Sequence, residues 1–210
     1  REATLRLMEG LAPVFPDEQE RLEHILRNQM FGIAITELTA LMARRTLYCS
    51  KTANGPHSIV RMPDAAGNIW YRRIEHSYNA AGRCKECGGN RDLLERSGRE
   101  NHAYAFIHRQ GRDEVWKEFG MRFDVILGNP PYQLEDGAGG RGTSATPIYQ
   151  HFVETAIELN PRYVLMITPS RWFTGGKGLD EFRDRMLKDR RIRALVDYPK
   201  LYDGFPGVKI

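Results

Sequence analysis

The sequence predicts an α/β fold with a mainly parallel sheet. Short apolar runs of strand length alternate with amphipathic helical segments along most of the 210 residues. Two of these runs, "FDVILGN" and "YVLMITP", are continuously apolar, as expected of strands buried in a parallel sheet. A hydrophobic content of 41% is sufficient for the core of one domain, or of one domain with an insertion.

The first 48 residues are predicted to form three helices and one strand. "REATLRLMEGL" repeats Leu5, Met8 and Leu11 at helical spacing, and "PDEQERLEHILRNQ" carries Leu22, Ile25 and Leu26 on one face. The apolar run "MFGIAI" is a predicted strand. The helix that follows, "TELTALMARRTLY", has Thr36 as its N-cap and an apolar face of Leu38, Leu41 and Met42.

From about residue 50 to 98 the composition shifts to Gly, Asn, Arg and Cys, which indicates an insertion with one hairpin over "HSIVRMPDAAGNIWYRRI". "AYAFIH" is the next predicted strand, and the charged segment "RQGRDEVWKEFGMR" separates it from "FDVILGN". Residues 137–146 are a Gly/Ser/Thr-rich loop, and "TPIYQHFVETAIELNP" is a helix with Thr146 as its N-cap. After "YVLMITP" we expect a "GGKG" loop, the helix "LDEFRDRMLKD" and the strand "IRALVDYP".

Composition limits the class of protein. The sequence has no apolar run long enough to span a bilayer and no signal-peptide pattern, so we expect a soluble, cytoplasmic protein that does not bind membranes. A net charge of +4 permits nucleic-acid binding without requiring it. The chain begins without Met inside a predicted helix and ends on "FPGVKI", so we also expect a piece of a longer polypeptide.

The stretch "DVILGNPPYQ" (124–133) ends a predicted strand with an amide, two prolines and an aromatic ring. The side-chain oxygen of Asn129 and the carbonyl of Pro130 accept hydrogen bonds, and neither Pro130 nor Pro131 has an N–H to compete. Such acceptors can localise the lone pair of an exocyclic amino group, which a purine ring otherwise delocalises. Tyr132 adds a flat ring on which a base can stack. A proline-rich turn with one aromatic residue is the simpler alternative.

These residues resemble the N-P-P-Y motif of S-adenosylmethionine-dependent amino methyltransferases, in particular the adenine-specific group of Eco57I-type restriction-modification enzymes. "MFGIAITELTALMARRTLY" resembles the family's second strand and helix, and "PIYQHFVETAIEL" and "YVLMITPSRWFTGGKGLDEFRDRML" resemble its later elements. The resemblance implies an incomplete, Rossmann-like methyltransferase sheet, with 1–210 as a partial catalytic domain and 50–98 as an insertion. It also implies that Asn129, Pro130, Pro131 and Tyr132 hold an adenine flipped out of double-stranded DNA.

The resemblance implies cofactor contacts at Ile35, Glu37, His108 and Asn129. Ala34 stands where the family has an acidic residue for the cofactor ribose, and Glu37 is the nearest substitute. His108 falls near the position of an acidic residue for the cofactor's adenine. The family's Gly-rich cofactor loop precedes the first helix and is missing here, so we expect this stretch to bind the cofactor weakly or not at all.

The three cysteines suggest a structural zinc site. "RCKECGG" is a C-x-x-C knuckle that supplies Cys84 and Cys87. Cys49 is the expected third ligand and His76 the expected fourth, with His57 and His102 as weaker candidates. Free thiols remain the alternative, whereas a redox C-x-x-C would need a strand-to-helix placement.

Three functions remain open. The first is methylation of adenine in DNA, with Arg171 and Lys177 near the phosphates. The second keeps the same acceptors but methylates a protein glutamine amide or an RNA amino group. The third is a non-catalytic nucleic-acid binding module. DNA sequence specificity and oligomeric state cannot be deduced from the sequence.

Overall fold

The computed structural model describes residues 2–72, 75–95, 104–108, 122–134 and 146–205. The chain divides into two compact units, Arg1–Met121 and Arg122–Ile210. Within the described residues the strands form three two-stranded sheets, two of them parallel, so the fold is mixed α/β with small parallel sheets. No helix in these ranges is long and apolar enough to cross a lipid bilayer.

The first unit contains the three helices predicted at its start. Its described elements are α1 (Glu2–Gly10), α2 (Glu18–Asn28), β1 (Gly32–Ile33), α3 (Glu37–Tyr48), β2 (Ile69–Trp70) and α4 (Arg91–Leu94). Helix α3 begins at the predicted N-cap, where the Thr36 hydroxyl accepts a hydrogen bond from the Thr39 N–H at 3.2 Å. The Thr39 hydroxyl accepts one in return from the Thr36 N–H, also at 3.2 Å, which completes a capping box.

Helices α1 and α3 leave apolar residues exposed. Helix α1 buries none of its residues, and Leu5 is exposed. Helix α3 leaves Leu38 and Met42 exposed and packs through another stripe at helical spacing, Ala40, Ala43, Leu47 and Tyr48. The predicted face was wrong because the packing partner of a helix, and not its most apolar stripe alone, decides which side is covered.

The core of the first unit combines residues that are distant in sequence. Its buried members are Leu26, Tyr48, Ala53, Val60, Met62 and Ile69. Asn68 links its elements, because the Asn68 side chain donates to the carbonyls of Leu26 and Arg27 at 2.9 Å, and its N–H donates to the Tyr48 hydroxyl at 3.0 Å. Residues 53–69, part of the expected insertion, therefore share a core with α2 and α3.

Two strand predictions in the first unit were wrong. The expected hairpin over 57–74 does not form in its described part, because β2 pairs in parallel with β1, with Gly32 opposite Ile69. Residues 104–108, the described part of "AYAFIH", form a turn in which the N–H groups of Ile107 and His108 donate to the Tyr104 carbonyl at 3.0 and 3.1 Å. Tyr104, Ala105 and His108 are nevertheless buried. The apolar run therefore indicates buried residues, although they do not form a strand.

The second unit contains the expected alternation of strands and helices. Its described elements are β3 (Val125–Gly128), β4 (Gln133–Leu134), β5 (Thr146–Pro147), α5 (Tyr149–Glu158), β6 (Tyr163–Met166), a 3₁₀ helix (Ser170–Phe173), α6 (Asp180–Lys188) and α7 (Leu201–Gly204). Strand β3 pairs in parallel with β6, from Val125 opposite Tyr163 to Gly128 opposite Met166. The buried core consists of Tyr149, Val153, Trp172, Leu179 and Phe182.

Three details of the second unit differ from expectation. Thr146 does not cap α5, because Thr146 and Pro147 form β5, which pairs antiparallel with β4. "IRALVDYP" is exposed and without regular structure, since no strand among the described residues pairs with it. Strands β3 and β6 are half-buried on one face and exposed on the other, where Val125 and Leu127 lie. The charged segment 109–121 and most of the Gly/Ser/Thr-rich loop lie outside the described residues.

Candidate functional site

The N-P-P-Y residues form the corner between β3 and β4. Strand β3 ends at Gly128, whose carbonyl accepts a hydrogen bond from the Ile167 N–H at 2.9 Å, just beyond β6. On the other side of the corner, the Tyr132 carbonyl accepts from the Ile148 N–H at 3.3 Å, at the start of α5. The corner is thus held by the parallel pair at one end and by the entry to a helix at the other.

Within the corner, the two side chains expected to contact substrate touch each other. The Tyr132 hydroxyl donates a hydrogen bond to Asn129 Oδ1 at 2.8 Å. Both side chains are exposed, whereas Pro130 between them is buried. The rigid Pro-Pro backbone therefore turns an amide oxygen and an aromatic ring outward together.

The electrostatics of the corner leave it neutral. Partial burial raises the pKa of Tyr132, so its hydroxyl keeps its proton at neutral pH and acts as a donor. Asp124, at the other end of β3, lies 3.8 Å from the Arg162 guanidinium, and its backbone carbonyl accepts from the Tyr163 N–H at 2.9 Å. Both observations agree with a role for Asp124 in supporting the strand.

In the segment after β6, Trp172 belongs to the core of the second unit. Its ring is buried edge-to-face against Phe173 and Phe182, with ring centroids at 4.6 and 5.8 Å. The Gly-rich turn that follows has positive φ at four successive residues from Gly175 to Gly178, including Lys177 at φ 51. Arg171 and Lys177 have exposed side chains, as phosphate contacts require.

Two of the predicted cofactor residues, Ile35 and Glu37, lie at the start of α3. Ala34 follows β1, and its N–H donates to the Trp70 carbonyl at 2.8 Å, so the strand-like pairing extends one residue further. Ile35 is half-buried, and Glu37 is the exposed first residue of α3. A carboxylate at this position also stabilises the helix N-terminus.

A compact group of sulfur and nitrogen atoms lies elsewhere in the first unit. His76, Cys84, Cys87 and His108 each offer one ligand atom, and these four atoms lie within 4.8 Å of one another. The Sγ of Cys84 is 3.9 Å from His108 Nε2, and the Sγ of Cys87 is 3.7 Å from His76 Nδ1. The two imidazole rings meet edge-to-face, with centroids 4.7 Å apart. We refer to these four residues as the Cys/His cluster.

The backbone around the two cysteines is a tight loop. The Cys84 N–H donates to the Gly89 carbonyl at 2.8 Å, and the Gly88 N–H donates back to the Cys84 carbonyl at 3.0 Å. Gly88 has φ 72, a conformation that favours glycine. Burial raises the pKa of the Cys87 thiol to about 12, outweighing the backbone hydrogen bond from Gly89, which lowers it.

The cluster differs from the predicted ligand set in one member. The structure brings His76, Cys84 and Cys87 together but leaves Cys49 outside, at the exposed C-terminal cap of α3 with φ 58. The fourth position holds His108, which sequence reasoning had assigned to the cofactor. In the sequence, the local signal for His108 is its position at the end of the apolar run "AYAFIH", which indicates a buried side chain. His57 is exposed and outside the cluster, and His102 lies outside the described residues.

Comparison with known proteins identifies the family. The sequence model of the Eco57I restriction-modification methylase family matches residues 28–205. An "Uncharacterized adenine-specific methylase" from Mycoplasma pneumoniae (strain ATCC 29342 / M129 / Subtype 1) is 36% identical over 235 aligned positions, which cover 100% of this chain. The chain spans about half, 54%, of that relative's length, and no solved structure matches significantly. The chain therefore belongs to the Eco57I restriction-modification methylase family.

Proposed function

We propose that this chain is part of an enzyme that transfers a methyl group from S-adenosylmethionine to the exocyclic amino group of adenine in DNA, within a restriction-modification system. The observation that carries the proposal is the N-P-P-Y corner at the end of β3, in a chain of this family. An adenine-specific methylase among its relatives supports adenine as the base.

The residues of the corner would act by positioning. Asn129 Oδ1 has two lone pairs, of which one accepts the Tyr132 hydroxyl and the other is left for an amino group of the substrate. Accepting hydrogen bonds from that amino group localises its lone pair on nitrogen, which makes it a better nucleophile. The exposed ring of Tyr132 would stack on a base flipped out of the duplex, and this contact offsets part of the cost of flipping.

The cofactor proposal rests on the start of α3. When bound, S-adenosylmethionine supplies a methyl group on a sulfonium. The exposed Glu37 carboxylate is a chemically suitable acceptor for ribose hydroxyls, and Ile35 beside it offers apolar contact. Asn129 stays the proposed contact near the reacting methyl group. His108 is no longer included, because its Nε2 lies beside Cys84.

The other partners follow from the same proposal. Double-stranded DNA would be the substrate, with a flipped adenine at the corner and phosphates near Arg171 and Lys177. The second cofactor is a structural zinc ion, for which the Cys/His cluster supplies four ligands. Four protein ligands leave a zinc ion no open position, so it would take no part in methyl transfer.

Methylation can be measured directly. The full-length protein is incubated with unmethylated DNA and labelled S-adenosylmethionine, and the DNA is digested to nucleosides for mass analysis. We expect N6-methyladenine, and we expect Asn129→Ala to reduce kcat by roughly 10²–10³-fold, the scale seen when one positioned polar group is removed from an active site. The KM for DNA should change less, because the Tyr132 ring is retained.

Control reactions contain bulk RNA or purified protein substrates in place of DNA. Asp124→Asn serves as the matched variant on the same strand, because Asp124 is exposed and pairs only loosely with Arg162. It should retain activity close to that of the unaltered protein. A label found in a glutamine amide or in RNA, or an active Asn129→Ala variant, would overturn the proposal.

A further inference from the structure

We infer that His76, Cys84, Cys87 and His108 bind one zinc ion, and that this ion fastens residues 104–108 to the C-x-x-C loop. The inference specifies the ligands and the role of the zinc in the proposed function. The experiments that test it measure zinc content and cysteine reactivity, so their result does not depend on whether the chain transfers methyl groups.

The distances in the Cys/His cluster fit a tetrahedral ion. Bonds of about 2.3 Å to sulfur and about 2.0–2.1 Å to nitrogen place tetrahedral ligand atoms about 3.3–3.8 Å apart. The two sulfur–nitrogen distances of 3.7 and 3.9 Å are near that range, and every pair lies within 4.8 Å.

The chemistry of the donor set selects the metal. Two thiolates and two imidazoles are soft and borderline ligands, which favour zinc and disfavour Mg²⁺ or Ca²⁺. Cys84 and Cys87 are free thiols and are 3% and 2% exposed, so their sulfurs are removed from water but not joined in a disulfide. A cation at the centre would hold both as thiolates in this buried position.

The positions of the ligands explain what the ion would do. Cys84 and Cys87 sit on one tight loop, whereas His108 is 24 positions beyond Cys84. The 104–108 segment is a single turn, and helix α4 between it and the cysteines has four residues. A bond from His108 to the ion would therefore add a link between residues 104–108 and the C-x-x-C loop.

Cys49 provides a matched control for His108. Cys49 is exposed at the end of α3 and outside the cluster, whereas His108 is buried within it. In the full chain we expect one zinc per molecule, and the same stoichiometry in Cys49→Ser. His108→Ala should weaken zinc binding more than about 10-fold, given that even outer contacts to a metal ligand contribute that much.

Cobalt substitution counts the thiolates. We expect the Co²⁺ form of the unaltered chain to show tetrahedral absorption bands and sulfur-to-metal charge transfer for two thiolates. His108→Cys should keep the metal and raise the charge-transfer intensity to that of three thiolates, whereas Cys49→Ser should leave the spectrum unchanged. If Cys49→Ser lost a thiolate from the spectrum, Cys49 would be the ligand and the inference would be wrong.

Thiol reactivity tests the unaltered chain and so does not depend on whether a variant folds. With zinc bound, one cysteine should react rapidly with a thiol reagent, and peptide mapping should locate it at Cys49. After chelation all three should react. Equal reactivity of the three thiols before chelation, or no zinc in protein purified without chelators, would exclude the site.

Discussion

The proposed function gives the side chain of Tyr132 two roles, one for its ring and one for its hydroxyl. Its ring is exposed for stacking, while its hydroxyl holds the amide oxygen of Asn129 at 2.8 Å. The contact spans three positions across two prolines, so the backbone that presents the ring also sets the amide. Because Tyr132 keeps its proton at neutral pH, the hydrogen bond persists across the range in which the protein would work. The two roles can be separated by substitution.

We predict different kinetic effects for Tyr132→Ala and Tyr132→Phe. Removal of the ring costs the stacking free energy of about 1–3 kcal/mol, which should raise the KM for DNA by roughly 5- to 150-fold. The Phe variant keeps the ring and loses only the hydrogen bond to Asn129, worth about 0.5–1.5 kcal/mol. It should therefore lower kcat by roughly 2- to 10-fold and leave the KM for DNA nearly unchanged.

Steady-state kinetics with saturating S-adenosylmethionine separate the two parameters. Tyr163→Phe is a suitable control, because Tyr163 is an exposed tyrosine at the start of the neighbouring strand β6. It should leave both parameters unchanged. If Tyr132→Phe raised the KM as much as Tyr132→Ala, the hydroxyl would contact the DNA and not serve to position Asn129.

The two candidate sites differ in how much of each a local sequence pattern contains. Asn129 to Tyr132 are consecutive, so one local pattern contains the whole corner. The Cys/His cluster draws its four residues from three separate segments, and only the C-x-x-C pair has a local signature. His108 could not be distinguished from Cys49 by spacing, because the choice depends on which of them the fold brings inside.

Among the helices and strands, local sequence patterns predict single elements but not the pairing of elements that are distant in sequence. Helices α2, α3 and α6 follow from local periodicity and end signals, and they were predicted. The pairing of β2 with β1 depends on residues almost 40 positions apart, with Gly32 opposite Ile69. Asn68, just before β2, fixes that pairing through its bonds to α2 and Tyr48, and no local pattern reveals them.

Gly67 lies in the turn before β2 and contacts the core of the first unit. We predict that Gly67→Ala destabilises the first unit by about 2–5 kcal/mol. Gly67 has φ 55, which is unfavourable by about 1–2 kcal/mol for a residue with a Cβ. An added Cβ would also lie 2.8 Å from the Tyr48 hydroxyl and 2.9 Å from the Ala53 Cβ. Overpacking of this kind costs about 1–3 kcal/mol.

Gly82→Ala isolates the backbone contribution. Gly82 has φ 70, but an added Cβ there has no neighbour within 4 Å, so this variant should lose only about 1–2 kcal/mol. The free energies of unfolding can be compared by amide exchange in increasing urea, with peptides covering 40–70 for Gly67→Ala and peptides covering 75–95 for Gly82→Ala. If the two variants lost equal free energies of unfolding, the contacts of the added Cβ with Tyr48 and Ala53 would make no contribution to the destabilisation.

At the scale of the whole molecule, each unit has a core of its own. The first unit is built around Leu26, Tyr48 and Ile69, and the second around Tyr149, Trp172 and Phe182. The Cys/His cluster is a further centre within the first unit, and its ligands are not members of the apolar core cluster. Local stability should therefore vary from one centre to another.

Removal of zinc should act on one centre, and we predict where. When a chelator removes the ion, amide exchange should rise most in residues 75–95 and 104–108, because their order depends on the metal. Helix α3 should change less, since Tyr48 is anchored by the apolar core and by Asn68. Helices α5 and α6 of the second unit should change least.

Cys49→Ser is the control, and it should give the same exchange pattern before and after chelation as the unaltered chain. A rise of similar size in α6 and in residues 75–95 would mean that the metal supports the whole chain and not the Cys/His cluster alone.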